Sequence, residues 1–532
     1  MSLVRQFVNV GGATLASRVL GFVRETMIAG ALGAGPVADA FYAAFRFPNL
    51  FRRLFAEGAF NSAFIPLFAR TLEGEGEDAA QKFAEDVLSA LLLVLAAITA
   101  LVMIATPLIV TLIAPGFTAN AEKFDLTVEL FRVMFPYLVC MSLTAMISGV
   151  LNAHRRFFIA ALAPTLLNVI TIAALAAAIV LGLEGPAVGR LLSWSVMVAG
   201  FAQLAMVAVA AHRIGFKMRL RRPRLTPGVK RLLWLAAPAA ATGGITQINL
   251  FIGQIIASTK EGAIAVLQYA DRVYQLPLGV VGIAVGVVLL PELSRALKAG
   301  HAREATHNQN RALEFALFLT LPAATAIAII ATAIVRVLYE RGAFTAETTE
   351  ITAQALAIFG LGLPAFVMIK VFTPGYFARE DTRTPMLFAG IAVGANVVLA
   401  LSLFPVIHEA GIATAEAAAG WINATLLFLT LRRREHFHID AMLLKRLPRL
   451  IFSAAIMGGA LYGGLRLLQP QLQPETGLAT QAGALLLLVV GGALVYFAAA
   501  QATGAADVRM LLRNLRRRPA GAPPPGTPAG DV

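Results

Sequence analysis

Long apolar blocks separated by short polar connectors run along almost the whole chain, with no strict apolar–polar alternation. The blocks reach the roughly 20 residues that a helix needs to cross a hydrocarbon core of about 30 Å. Only helices and closed barrels satisfy their backbone groups in lipid, and barrel strands alternate. The pattern therefore predicts an all-α polytopic membrane protein. Its blocks place fourteen spans near 7–33, 37–69, 86–113, 126–151, 158–182, 187–211, 232–257, 263–294, 312–338, 350–378, 385–406, 411–431, 449–468 and 479–500.

The connectors set the orientation. Basic residues crowd into 212–231, 295–311, 432–449 and the tail, where Arg509, Arg513, Arg516, Arg517 and Arg518 lie. Roughly thirty of the 44 basic residues fall on this side, which the positive-inside rule makes cytoplasmic. The opposite loops carry few: Lys123, Lys260, Arg336, Arg341 and Arg466. Both termini are expected in the cytoplasm of a bacterial cell, with the spans in the inner membrane. The net charge of +14 thus reflects topology, and nucleic acid is not an expected partner.

Composition agrees: 58% of residues are hydrophobic and 14% charged, where a soluble domain carries nearer a quarter charged residues. The single cysteine, Cys140, excludes an internal disulfide and a thiolate metal site. The first apolar stretch holds Arg18, Arg24 and Glu25, which do not suit a signal peptide.

The chain also resembles itself at an offset of about 227 residues, as transporter repeats do. Residues 65–72 (IPLFARTL) match 290–297 (LPELSRAL); Pro136 pairs with Pro364, Gly149 with Gly375 and Asn168 with Asn396. This predicts two pseudo-symmetric six-helix lobes, 1–215 and 216–440. Two extra helices follow within 441–505, then a basic, Pro-rich tail over 506–532.

Several charges lie where lipid would make them costly. A basic residue at mid-bilayer costs about 2.5–3.5 kcal/mol on insertion scales, and such residues usually face a cavity. Arg18, Arg24, Arg46, Arg52, Arg53, Arg272 and Lys370 fall inside spans, against the acids Glu25, Asp39, Glu57 and Asp271. Asp39, Tyr42, Arg46, Asn49, Arg53 and Glu57 recur at helical spacing and share one stripe. The basic excess suits an anionic ligand, because guanidinium groups grip phosphate oxygens in bidentate geometry. Structural salt bridging and snorkelling to the interface are the competing reading. The intramembrane amides Asn152, Asn249, Gln254 and Asn396 read first as contacts between helices. His301, His307, His436 and His438 lie in basic loops and read as solvated. No phosphate-binding GxxxxGK[ST] loop, HExxH, CxxC or GxSxG occurs, so no enzyme chemistry is expected.

Three stretches carry a family resemblance: SRVLGFVRE at 17–25, ADAFYAAFRFPNLFRRLFAEGAFNSAFIP at 38–66, and YADRVYQLPLGVVGIAVGVVLLPELSR at 269–295. They resemble the MurJ (MviN) lipid II flippases, within the superfamily of multidrug and polysaccharide exporters. The resemblance implies a cationic central cavity that opens to each side in turn. The substrate it implies is lipid II, an undecaprenyl diphosphate bearing the peptidoglycan precursor. It also implies a lipid-tail groove at the last two spans. Substrate binding is expected at Arg18, Arg24, Arg52, Arg272, Ser17 and Asn49. Asp39, Glu57, Asp271, Gln275 and Glu25 are expected as supporting charges and polar groups, with Asp39 and Glu57 holding the arginines apart. Gln275 departs from the family, where many members carry Glu. A hydrogen-bonding role survives that change and a charge role does not. Some relatives bind sodium near their seventh and eleventh spans. Asp381 and Asn396 are the matching residues here, but no acid lies between Leu232 and Ala257, so no complete sodium site, and no cofactor, is expected. Enzymes of peptidoglycan synthesis are the implied protein partners. Flipping of another undecaprenyl-linked glycan and export of cationic drugs remain as alternatives.

Overall fold

The computed structural model describes residues 3–52, 59–217 and 219–505. Side chains are described there except at 3–11, 14, 51–59, 62, 238–250 and 280–288. Among the described residues every regular element is helical. The first expected span is α1 (Leu3–Leu32). The second is two helices, α2 (Pro36–Arg52) and α3 (Ala59–Glu75). The third is α4 (Glu77–Ile104) and α5 (Thr106–Ile113), and the fourth is α6 (Ala121–Met134) and α7 (Tyr137–Ala153). Next come α8 (Phe157–Val180), α9 (Pro186–Arg213), α10 (Pro227–Ala257), α11 (Ala263–Lys298), α12 (Ala302–Tyr339) and α13 (Ala346–Phe377). The eleventh and twelfth spans run together as α14 (Arg383–Arg433), and α15 (Ala441–Leu467) and α16 (Leu478–Ala502) close the fold.

The divisions have local causes. Pro107 and Pro136 remove backbone donors next to the α4–α5 and α6–α7 breaks. Inside α14, the chain turns at Ile407 and at His408 (φ 50°, ψ −126°), just after Pro405. Gly411 then lies so close to Leu403 that a Cβ would come within 2.7 Å of its carbonyl carbon. Side-chain caps hold other helix starts: Asn120 Oδ1 accepts from the Lys123 amide at 3.1 Å, and Asp440 Oδ1 accepts from the Leu443 amide at 2.7 Å. Among the described residues nine helices are long and apolar enough to cross a membrane, the continuous stretches Ala121–Ala153 and Arg383–Arg433 each counted once.

The chain forms two compact units. One comprises 1–275, 334–359 and 390–419, and the other 276–333, 360–389 and 420–532. The first is packed around Phe60, Phe64 and Phe68 of α3, with Met146 and Val150 of α7 and Val207 of α9 against them. Phe60 stacks on Phe64 and Phe64 on Phe68, at 5.3 and 5.6 Å between ring centres. In the second unit Leu293, Leu317, Val371, Leu427 and Leu443 form the core. There the buried Tyr496 of α16 donates its hydroxyl to the Phe318 carbonyl at 2.8 Å. Outside these cores the helices keep large apolar side chains exposed, such as Leu101, Ile104, Val180 and Leu494. An apolar surface of this kind suits a lipid solvent.

Candidate functional site

The first unit contains a cavity of about 110 Å³, lined by charged residues of α1, α2 and α11. Its centre is Glu25, which is 2% exposed. Glu25 Oε1 accepts from Arg24 Nη2 at 2.9 Å and from Arg272 Nη2 at 2.8 Å, and Oε2 accepts from the Tyr42 hydroxyl at 2.8 Å. Helical geometry explains the convergence. Arg24 and Ile28 share a face of α1, Tyr42, Arg46 and Asn49 a stripe of α2, and Gln268, Arg272 and Gln275 a face of α11. Arg24 is held from its other side, where Nη1 donates to Asn168 Oδ1 at 3.0 Å. Asn168 in turn donates to the Ser17 carbonyl at 2.9 Å.

Two guanidinium groups thus share one carboxylate. The Nε atoms of both Arg24 and Arg272 are buried with no partner among the described residues. A buried donor without an acceptor is costly, and an anion entering this cavity would supply one. Arg46 and Asp271 also line the cavity. Arg46 Nη2 donates to Gln268 Oε1 at 3.5 Å, and Asp271 accepts from the Gln275 amide. The neutral Gln275 is accordingly a hydrogen-bond donor here.

Of the residues singled out in the sequence, Arg24, Glu25, Asn49, Asp271, Arg272 and Gln275 line this cavity. Arg18 does not line it and is exposed on α1. Ser17 takes part through its backbone carbonyl. Arg52 ends α2, and its side chain lies outside the described residues, as does Glu57. Asp39 differs from the expectation that it spaces the arginines. It is fully buried elsewhere, 2.7 Å from Lys123 Nζ, and it accepts from the Gly262 and Ala265 amides at 2.7 and 3.0 Å. It therefore caps α11, where the free amides and the helix dipole favour an anion. Lys123 had the appearance of a loop residue, yet it is 6% exposed and 4.2 Å from the Phe117 ring centre.

Three acidic or amide positions gain roles that the sequence reading passed over. Glu409 is buried and takes Lys260 at 2.8 Å. Glu416 lines a second cavity of about 60 Å³ together with Arg46, Asp271, Gln254 and Asn396. A signal was present: Glu409 and Glu416 stand two helical turns apart in an alanine-rich stretch. Asn168, paired with Asn396 only as a repeat position, is the residue that fixes Arg24. Asp381, a candidate sodium ligand, accepts from the Thr384 hydroxyl at 2.6 Å, the Thr384 amide at 3.0 Å and Arg434 at 2.7 Å. Those donors hold its carboxyl down at about 2.

The family model described as lipid II flippase MurJ matches residues 28–483. The chain belongs to the lipid II flippase MurJ family. The probable lipid II flippase MurJ of Rhizobium tropici is 58% identical over 97% of each chain. The lipid II flippase MurJ of Burkholderia cenocepacia is 36% identical over 87% of this chain and 90% of its own. Among solved structures, a lipid II flippase MurJ in an inward closed conformation matches with a TM-score of 0.74 and 28% identity, covering 96% of this chain and all of the other. An inward-facing multidrug transporter of the MATE family matches with a TM-score of 0.66 at 15% identity, covering 79% of this chain and 94% of its own. That last likeness concerns the fold alone. As a member of the MurJ family with many apolar helices, the chain is a multi-pass membrane protein of the transporter type.

Proposed function

We propose that this MurJ-family chain flips lipid II, or a closely similar undecaprenyl diphosphate lipid, from the cytoplasmic to the periplasmic leaflet of the bacterial inner membrane. The observation that carries the reading is the sharing of Glu25 by Arg24 and Arg272 inside a cavity. In the empty site the carboxylate neutralises part of the cationic charge and keeps both guanidinium groups in place. A diphosphate can replace it as their acceptor, with charge-assisted bonds to both arginines and to their unpartnered Nε atoms. Arg18, Arg52, Asn49 and Ser17 belong to the same proposal as further headgroup contacts. The undecaprenyl tail stays in lipid, against the apolar exposed face of the last two helices.

Alternating access of two six-helix lobes, 1–215 and 216–440, completes the scheme. The membrane potential supplies about 2.3 kcal/mol per charge per 100 mV, so an anionic headgroup is driven outward from a negative cytoplasm. An emptied cationic site is drawn back by the same field. Both termini lie in the cytoplasm, and enzymes of peptidoglycan synthesis are the natural neighbours that supply and consume the lipid. Depletion of the protein in living cells tests the assignment. Lipid II should accumulate in the inner leaflet; an unchanged leaflet distribution would overturn it, and accumulation of a different undecaprenyl-linked glycan would replace the substrate.

A further inference from the structure

A separate basic pocket lies in the first unit, between α3 and α10. It is lined by Ala63, Pro66, Leu67 and Arg70 of α3 and by Arg231 and Leu235 of α10, and it has a volume of about 290 Å³. The positions on α3 follow the i, i+3, i+4, i+7 stripe, and those on α10 are one turn apart, so each helix presents a single face. Beneath them the helices are fixed by the core, where Ala63, Phe64, Val229 and Leu232 are buried. Arg70 and Arg231 are exposed, and neither forms an ion pair or hydrogen bond among the described residues. The pocket thus has an apolar floor and two uncompensated guanidinium groups at its rim.

Its surroundings give its depth. Next along α10 from Arg231 come Leu233, Trp234 and Leu235, which are 53%, 77% and 42% exposed. Exposed apolar side chains with a tryptophan directly beside a charged residue mark the boundary between acyl chains and headgroups. The connector leading to α10 strengthens the field. Its backbone is pinned along α4, where the Arg221 amide donates to Ser89 Oγ at 2.9 Å, Arg221 Nε to Glu85 Oε2 at 2.5 Å, and Gln81 Nε2 to the Lys217 carbonyl at 3.1 Å. Arg219, Arg222 and Arg224 are left exposed on this strap. Basic residues close to an anionic leaflet attract its lipids electrostatically.

We infer that the α3–α10 pocket binds the headgroup of an anionic phospholipid of the bilayer, its phosphodiester held between Arg70 and Arg231 and its first acyl carbons on Leu67 and Leu235. The occupant is a bilayer lipid because the pocket combines phosphate chemistry at the rim with an apolar floor that continues into exposed leucine and tryptophan. The strap raises the local concentration of anionic lipid without choosing its seat.

Native mass spectrometry of the purified protein tests this, with phosphatidylglycerol and phosphatidylcholine of identical acyl chains as probes. The unaltered protein should prefer phosphatidylglycerol by about tenfold: both lipids offer a phosphodiester, but the choline ammonium would be set against two uncompensated guanidinium groups. An Arg70→Gln/Arg231→Gln variant should lose that preference with its thermal unfolding unchanged, since both side chains are exposed and unpartnered. Arg219→Gln/Arg222→Gln/Arg224→Gln should lower total phosphatidylglycerol uptake and keep the preference. A preference that survives in the pocket variant overturns the inference, as does one abolished by the strap variant alone. A third probe, undecaprenyl diphosphate, separates the phospholipid from the transported lipid. If the pocket variant loses that probe and keeps phosphatidylglycerol, the pocket is a dock for the transported lipid and the inference fails.

Discussion

Arg272 donates to Glu25 at 2.8 Å although 247 positions separate them in the chain. The contact fastens the first third of α11 to the last third of α1, and Arg24 arrives at the same carboxylate oxygen. A buried carboxylate serving two cations, Arg24 buried and Arg272 half-buried, should show energetic coupling. Glu25→Gln and Arg272→Gln are each expected to lower the unfolding temperature in detergent. The double variant should lose less than the sum, with a coupling of about 1–3 kcal/mol, as groups in one buried network show. Additive losses would mean that the pair contributes only as separate side chains.

Removing one member of the Asp39–Lys123 pair strands the other in a buried site. Lys123→Met should destabilise by about 3–5 kcal/mol, the usual cost of an uncompensated buried charge. Asp39→Asn combined with Lys123→Met should recover part of that loss, because no buried charge is left unpaired and the asparagine oxygen still accepts from one of the two amides, Gly262 or Ala265. Chemical denaturation of the unaltered protein and these two variants gives the comparison, and equal loss in the single Lys123 variant and the double variant would count against the pairing.

The segment after α12 meets α1 backbone to backbone. The Ala343 amide donates to the Gly30 carbonyl at 2.8 Å, and Gly342 has φ +58° with no room for a Cβ beside that carbonyl. Gly342→Ala is therefore expected to destabilise by about 1–3 kcal/mol, the range for a strained backbone position. Gly300 also has a positive φ but meets nothing within 4 Å, so Gly300→Ala should cost less. Equal unfolding temperatures for the two variants would contradict the close approach.

Asp381 gives a pH signature. The Thr384 hydroxyl and amide, and then Arg434, hold its carboxyl at about 2, below the value of roughly 3.9 for an unfolded aspartate. A depressed carboxyl contributes stability that is full above the unfolded value and is lost as pH falls through the folded one. The difference in unfolding temperature between the unaltered protein and Asp381→Asn should be constant above about pH 5 and shrink between about pH 4 and pH 2. A difference that does not change over that interval would show that the charge contributes nothing.

The sequence foretold much of this arrangement, and the remainder was lost for a physical reason. Apolar block length gave the helices, and the excess of intramembrane arginines pointed to Arg24 and Arg272, which the structure brings into one cavity with Glu25. Helical spacing also placed Tyr42, Arg46 and Asn49 on a common stripe, as found. Spacing reports which residues share a face but not which faces meet. Asp39 shares that stripe at its upper end, yet its partners come from α6 and from the start of α11, 84 to 226 positions away. Lys123 looked like a loop residue because it begins a helix, and burial is invisible in a polar first turn. Glu409 and Glu416 escaped notice because alanine-rich helix around them gives little amphipathic contrast. The breaks at Ala105 and Pro136 divide spans that hydropathy alone presents as continuous.

Transport on this scheme requires Arg24 and Arg272 to exchange Glu25 for a diphosphate. Binding of undecaprenyl diphosphate to the purified protein, compared with Arg24→Ala and Arg272→Ala, tests it most directly. Each substitution is predicted to weaken binding by at least about tenfold, since a charge-assisted bond is worth roughly 1.5–3 kcal/mol, while both variants still insert in the membrane. Unaltered affinity in either variant would mean that the diphosphate does not take the place of Glu25 at that arginine.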